Sequence, residues 1–158
     1  MLAFLFAPFG LLAAPVLGSW LPALLLVFHF AGPVPDTLGP VAGQLPACTA
    51  PAHCVREDWP VADPALALGR LASQLASTPG TRVERFDEQE PQPYLHATAT
   101  SSFFGFVDDL ELLADPERGV LQVRSESRLG DSDLGVNQAR VDGLRQGLAP
   151  AEPQASQG

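Results

Sequence analysis

The spacing of apolar residues after position 62 predicts a first helix. Leu68, Leu71 and Leu75 recur at intervals of three and four residues, which places them on one side of a helix. Asp63-Pro64 is a favourable start, because Asp caps free backbone N–H groups and Pro fits the first helical position. Pro79-Gly80 ends the pattern. The sequence therefore predicts an amphipathic helix between these two signals.

The four segments that follow have the composition of β-strands. Residues 81–86 form a weak one before two prolines, and residues 94–102 form a stronger one, rich in Thr and aromatic side chains. Residues 106–114 and 120–127 flank Asp115-Pro116-Glu117-Arg118-Gly119, a sequence typical of a hairpin turn. We therefore expect an antiparallel meander of three to four strands.

The side-chain pattern of the hairpin also predicts its register. Pairing Leu112 with Val123 places the apolar side chains of both strands on one face and sets Glu111 opposite Arg124 on the other. A shift by one residue would mix leucines with Arg124, so we reject it.

A second helix is predicted to begin with Ser132 or Asp133 as its cap and to end near Gly147. Its buried side is predicted to hold Leu134, Val141, Leu144 and Leu148. The order helix, meander, helix predicts an α+β domain over residues 47–149, with both helices on one face of a single sheet. Residues 150–158, rich in Ala, Gln, Pro and Ser, are predicted to form a disordered tail.

The first part of the chain is apolar and uncharged. No Asp, Glu, Lys or Arg precedes Asp36, and apolar side chains are densest over residues 2–31. One membrane span needs about 20 apolar residues as helix, so this length suits one span and not two. We therefore expect residues 1–31 to form a single-pass membrane anchor and the Pro- and Gly-rich residues 32–46 to form a linker. A cleaved signal peptide, which typically has a basic start, and a longer multi-span protein are the alternatives.

The chain has two cysteines, Cys48 and Cys54, six positions apart. Their spacing predicts a disulfide, and disulfides persist in oxidising compartments, so we expect the domain on the periplasmic side of the cell membrane. Two unpaired thiols, or a metal site with His53 or His96, are the alternatives. The histidines and cysteines do not have the spacing of a zinc site, and we predict neither a metal nor a cofactor.

Net charge and polar residues narrow the choice of partners. The formal charge is −9, which argues against nucleic acid because phosphate binding needs positive charge. Polar side chains concentrate on the last strand and at the start of the last helix, beside an acidic strand. They are Arg124, Ser125, Ser127, Arg128, Ser132, Asp133, Asn137 and Arg140, with Asp108, Asp109 and Glu111 on the neighbouring strand.

Two interpretations of this cluster need no catalysis. In the structural one, Arg124 forms exposed pairs with Glu111 and, diagonally, with Asp109, while Asn137 and Arg140 tie the helix to the edge of the sheet. In the binding one, Arg124 and Arg128, the serines and the helix start hold an anion or a carboxylate. Strand alternation weakens the second, because it puts the arginines and the serines on opposite faces.

A catalytic interpretation uses His96 as a base, Asp108 or Asp109 as its orienting acid, and Ser125 or Ser127 as the nucleophile. No serine in the chain lies in a nucleophile-elbow motif, so this hypothesis depends on geometry alone.

Several of these segments resemble the family called domain of unknown function 1499. They are Tyr94-Leu95-His96-Ala97, Gly105-Phe106-Val107-Asp108-Asp109, Val123-Arg124-Ser125-Glu126-Ser127-Arg128 and Ser132-Asp133-Leu134-Gly135-Val136-Asn137, followed by Arg140. The cysteine pair resembles the family's start, although Thr49 and His53 stand where Pro and Asn are common. The resemblance spans residues 46–148 and implies a shared fold and often a membrane or exported setting. It implies no activity, because the family's biochemical role is not established.

Together these features predict a membrane-anchored, non-catalytic domain of the bacterial cell envelope. Its expected partners are the membrane, through residues 2–31, and another protein or a small ligand. An uncharacterised envelope hydrolase is the alternative.

The cysteine pair generates the first prediction. Thiol labelling of the native, unreduced protein should modify neither Cys48 nor Cys54, because both sulfurs are expected to be bonded to each other. Mass spectrometry after alkylation measures this, and reduction before labelling serves as the positive control. Labelling of both cysteines without reduction would contradict the disulfide.

Overall fold

The computed structural model describes residues 30–148. Residues 1–29 of the predicted anchor and the predicted tail at 150–158 lie outside this range. Neither helix between residues 30 and 148 has both the length and the apolar character that crossing a membrane requires.

The described chain forms one antiparallel sheet and two helices, so the predicted α+β class is confirmed. The elements are β1 (Cys54–Pro60), α1 (Pro64–Ser77), β2 (Thr81–Asp87), β3 (Tyr94–Thr100), β4 (Val107–Asp115), β5 (Val120–Ser127) and α2 (Val136–Leu148). The strand order is β1-β5-β4-β3-β2, and every pair is antiparallel.

The sheet has five strands, whereas the sequence predicted three to four. The missed strand is β1, which pairs with β5 at an edge of the sheet. Its centre is the charged run Arg56, Glu57 and Asp58, and Pro60 ends it, so it lacks the apolar alternation that marked the other strands. An edge strand tolerates such residues because only one of its sides pairs with a neighbour.

The first helix begins and packs as its sequence predicts. The Asp63 carboxylate accepts a hydrogen bond from the backbone N–H of Leu66 at 2.9 Å. Leu68, Leu71 and Leu75 are buried against the sheet. The opposing surface is the inner face of the sheet, where β3, β4 and β5 contribute Leu95, Ala97, Leu110, Leu112, Ala114, Leu121 and Val123.

The predicted register of the β4–β5 hairpin is confirmed. Leu112 pairs with Val123, and Glu111 pairs with Arg124. The leucines therefore face the helices, while Glu111 and Arg124 point to the opposite side, called the outer face below.

The start of α2 differs from the prediction. Leu134, expected on the buried side, is 94% exposed, because α2 begins two residues later at Val136. Leu134 has a φ of +55°, a left-handed conformation that is uncommon for a residue with a side chain. Val141 and Leu144 are buried as predicted, and Leu148 packs against the core.

Residues 30–47, called the strap below, contact the outer face along its length. The segment predicted as a linker falls within it. At one end of the sheet, the Phe30 ring stacks on Phe106 with centroids 5.6 Å apart. In the middle, the backbone N–H of Gly39 donates to Glu111 at 2.6 Å. At the other end, an added Cβ on Gly43 would lie 3.0 Å from the side-chain oxygen of Gln92.

The last part of the strap is held by burial and by a disulfide. Leu45 is 3% exposed and packs with Tyr94 and Leu113, which are buried on the outer face. Cys48 and Cys54 form the predicted disulfide, with Cα atoms 5.6 Å apart. The bond links Cys48, the residue directly after the strap, to the first residue of β1.

The packing of Leu45 generates a stability prediction. Leu45→Ala should lower the free energy of unfolding by about 2–5 kcal/mol, because it leaves a cavity between the strap and the sheet. Leu134→Ala is the matched control and should change it by less than about 0.5 kcal/mol, since this side chain is exposed. Urea denaturation of the full chain, followed by circular dichroism, measures both. Equal effects of the two substitutions would contradict a packed strap.

Candidate functional site

The predicted polar cluster is divided between the two faces of the sheet. Successive residues of a strand point to opposite sides, so Ser125 and Ser127 face the helices, whereas Arg124 points to the outer face. Arg128, directly after β5, also lies on the outer side, where it binds Asp109. The arginines and the serines therefore belong to two separate hydrogen-bond networks.

Asn137 is the centre of the network on the helix side. It is fully buried in the first turn of α2, and its side-chain oxygen accepts from the Ser125 hydroxyl at 2.6 Å. Its amide group donates to the Ser127 hydroxyl at 2.9 Å and to the backbone oxygen of His53 at 3.1 Å. One side chain thus ties α2 to β5 and to the residue before β1.

Arg140 extends this network to β4. Its guanidinium donates to Asp108 at 2.6 Å, to the Ser125 hydroxyl at 2.9 Å and to the Asn137 oxygen at 2.6 Å. Asn137 and Arg140 therefore connect the helix to the sheet, as the structural interpretation predicted. Most of their partners lie on the inner strands β4 and β5, and Asn137 also reaches His53 beside the edge strand β1.

Asp133 caps α2. One carboxylate oxygen accepts from the Gly135 N–H at 2.9 Å, and the other accepts from the Asn137 N–H at 2.8 Å. Burial alone would raise the pKa of Asp133, but these backbone hydrogen bonds outweigh it and hold the pKa below its ordinary value. Ser132, the other predicted cap, accepts only a long bond of 3.4 Å from the Leu134 N–H.

On the outer face, Glu111 and Arg124 form the predicted pair, but the pair is buried and not exposed. Glu111 is 0% exposed and Arg124 is 3% exposed, because the strap covers them. Arg124 donates to Glu111 at 2.7 Å and also pairs with Glu126. The hydroxyl of Tyr94 donates to Glu111 at 2.8 Å, and burial, together with the charge of Glu111, raises the pKa of Tyr94.

Asp109 is the second buried acid on the outer face. It pairs with Arg128 through two hydrogen bonds of 2.8 Å, and not with Arg124 as predicted. The Nε2 atom of His96 lies 2.7 Å from the same carboxylate. Burial alone would raise the pKa of Asp109, but the hydrogen bonds and charges of Arg128 and His96 outweigh it and lower the pKa. The pKa of Arg128 is raised by its hydrogen bond to Asp109.

These positions separate the members of the predicted catalytic triad. His96 contacts Asp109 on the outer face, whereas Ser125 and Ser127 bind Asn137 on the helix side. Asp108 also faces the helices, where it binds Arg140. Within residues 30–148, no group of three or more His, Cys, Asp or Glu side chains is placed to hold a metal ion.

An apolar groove of about 330 Å³ lies between the β3–β4 loop and the start of α2. Phe104 and Phe106 form one wall, and Leu129, Leu134 and Val136 form the other. Asp108, Ser127 and Asp133 line its polar side, so the groove borders the helix-side network. This groove was not predicted from the sequence, although two of the three phenylalanines within residues 103–106 form one of its walls.

The fold and these two networks define a small α+β domain whose clustered polar residues are largely paired with one another. The chain belongs to the family described as "protein of unknown function (DUF1499)", which it matches over residues 44–148. No curated protein and no solved structure matches the chain.

The buried pair of Asp109 and Arg128 generates a pH prediction. A lowered pKa in the folded state adds stability above the unfolded pKa of about 4, and this stability is lost as pH falls through the lower folded pKa. Asp109→Asn should therefore lower the free energy of unfolding at pH 7 by about 3–5 kcal/mol, because it leaves Arg128 buried without a counter-charge. It should also flatten the decline in stability below about pH 4.

Urea denaturation of the full chain between pH 2 and pH 7 measures this effect. Asp87→Asn is the matched control, because Asp87 pairs with Arg85, whose side chain is 63% exposed, and such surface pairs contribute about 0–1 kcal/mol. An acid dependence that Asp109→Asn leaves unchanged would rule out Asp109 as its source.

Proposed function

We propose that this protein is a non-catalytic binding domain held at a membrane by residues 2–31, and that it binds an apolar ligand in the groove beside α2. The groove carries the proposal. Its walls are apolar, its polar side is short, and Leu134 and Val136 remain 94% and 51% exposed on its rim. Apolar recesses with a few fixed polar groups are typical of ligand sites.

The internal pairing of the polar cluster supports binding in the groove over binding of an anion. Arg124, Arg128 and Arg140 each contact at least one carboxylate of the chain itself. An external anion would have to displace these carboxylates and leave them unpaired in buried positions, which is costly. An apolar ligand would need no such exchange.

The same pairing gives less support to the hydrolase alternative. A nucleophilic serine needs a base within hydrogen-bond reach. His96 has its aspartate at 2.7 Å, but the predicted serines lie on the other face of the sheet. The histidine therefore fits better as a structural partner of Asp109.

The membrane setting is supported by sequence and by the disulfide. The run before Asp36 has no charge, which suits a lipid environment. The Cys48–Cys54 bond suits an oxidising compartment and therefore the extracytoplasmic side of a cell membrane.

Native mass spectrometry of the full chain, extracted from membranes in mild detergent, tests the binding proposal. The wild type should retain a bound mass, and Phe104→Ser should lose most of it, because the substitution removes one wall of the groove. Phe86→Ser is the matched control; this half-exposed phenylalanine lies away from the groove, near α1, and its loss should leave the bound mass unchanged. A wild type without any bound mass, or equal losses in both variants, would contradict the proposal.

A further inference from the structure

Exposed apolar side chains gather at one end of the sheet, here called the aromatic end. It consists of the β3–β4 loop and the segment that leads into α2. Phe103 is 77% exposed and Leu134 is 94% exposed. The other apolar side chains of this end are between 39% and 51% exposed, namely Phe104, Phe106, Leu129 and Val136. Clustered apolar exposure of this kind marks a contact surface and not ordinary solvent-facing protein.

The strap begins at the aromatic end. The backbone N–H of Phe30 donates to the Phe104 oxygen at 3.3 Å, and its ring stacks on Phe106. Gly32 then passes so close to the end of β5 that an added Cβ would lie 2.9 Å from side-chain atoms of Arg128 and Leu129. The path of the chain is therefore fixed as soon as it reaches the domain.

The apolar run of the sequence thus reaches the domain without a spacer. The run ends at residue 31, and Phe30 already contacts the aromatic end. Any environment that surrounds the residues just before Phe30 must lie within a few side-chain diameters of the exposed phenylalanines. The apolar run has the length of one membrane span and joins the domain beside the exposed phenylalanines. These two features favour lipid as the partner of the aromatic end.

The opposite end of the sheet has a different character. It contains the β4–β5 turn, where Asp115, Glu117 and Arg118 are charged, and Arg118 pairs with Asp58 at 3.0 Å. The exposed aromatic side chains therefore cluster at the end where the uncharged segment enters, whereas the β4–β5 turn at the other end carries the exposed charges of Glu117 and Arg118.

From this arrangement we infer that the aromatic end lies in the interface of the same lipid bilayer that receives residues 2–29. The inference rests on the proposed membrane attachment and names the source of the apolar ligand, since the groove then opens towards lipid chains. Phe103 and Leu134 enter the region between headgroups and acyl chains, as exposed apolar side chains of interfacial proteins do. Asp131 is exposed beside this surface, so a zwitterionic bilayer suits it better than an anionic one.

Spin-label accessibility in the full chain tests the inference. Leu134→Cys, Phe103→Cys and, as the control at the polar end, Glu117→Cys are each labelled with a nitroxide while the native disulfide remains closed. The proteins are reconstituted in phosphatidylcholine vesicles and floated after a carbonate wash. Collisions with oxygen, which concentrates in lipid, are then compared with collisions with a water-soluble nickel chelate.

The labels at positions 134 and 103 should collide several-fold less with the nickel chelate than the label at 117, and more with oxygen. Labels at 134 and 103 that behave like the label at 117 in protein that floats would overturn lipid docking alone. Low collision with both reagents would also overturn it, because protein, from residues 1–29 or a second copy, would then cover the surface. A chain that does not float with the vesicles would instead overturn the membrane attachment itself.

Discussion

The outer face of the sheet must supply enough hydrogen-bond donors to stabilise the buried carboxylate of Glu111. A charge in this position is costly unless several hydrogen bonds compensate it. Its donors come from three parts of the chain, namely Tyr94 on β3, Arg124 on β5 and the backbone N–H of Gly39 in the strap. The strap therefore completes a set of donors that also requires β3 and β5 to be in register with β4, and it supplies one of the bonds that make this burial tolerable.

Much of the sheet could be predicted because its inner face follows a simple alternation. The leucines of β4 and β5 allow one register, and that register also sets Glu111 opposite Arg124. The strap could not be predicted in the same way. Its bond to Glu111 joins residues 72 positions apart and uses the backbone N–H of Gly39, which leaves no side-chain pattern in the sequence. Because the strap covers Glu111 and Arg124, the burial of this pair could not be predicted without it.

The candidate site was predictable only in its division between two faces. Alternation along β5 separates Arg124 from Ser125, whatever the rest of the fold does. The role of Asn137 depends on the backbone oxygen of His53, which comes close only because the unpredicted strand β1 lies beside β5. Leu134 was placed on the helix because its spacing fits, but Asp133 bonds to Gly135 and Asn137 and starts α2 two residues later.

The disulfide has a mechanical consequence for a domain loaded through its N-terminal side. A pull on Phe30 would peel the strap from the sheet one contact at a time, beginning with the aromatic stack. Peeling would stop at Cys48, because its covalent bond passes the load directly to Cys54 at the start of β1. At Cys54 the force acts on a strand that is paired with β5 over seven residues. The disulfide therefore limits the segment that can detach under load to the residues before Cys48.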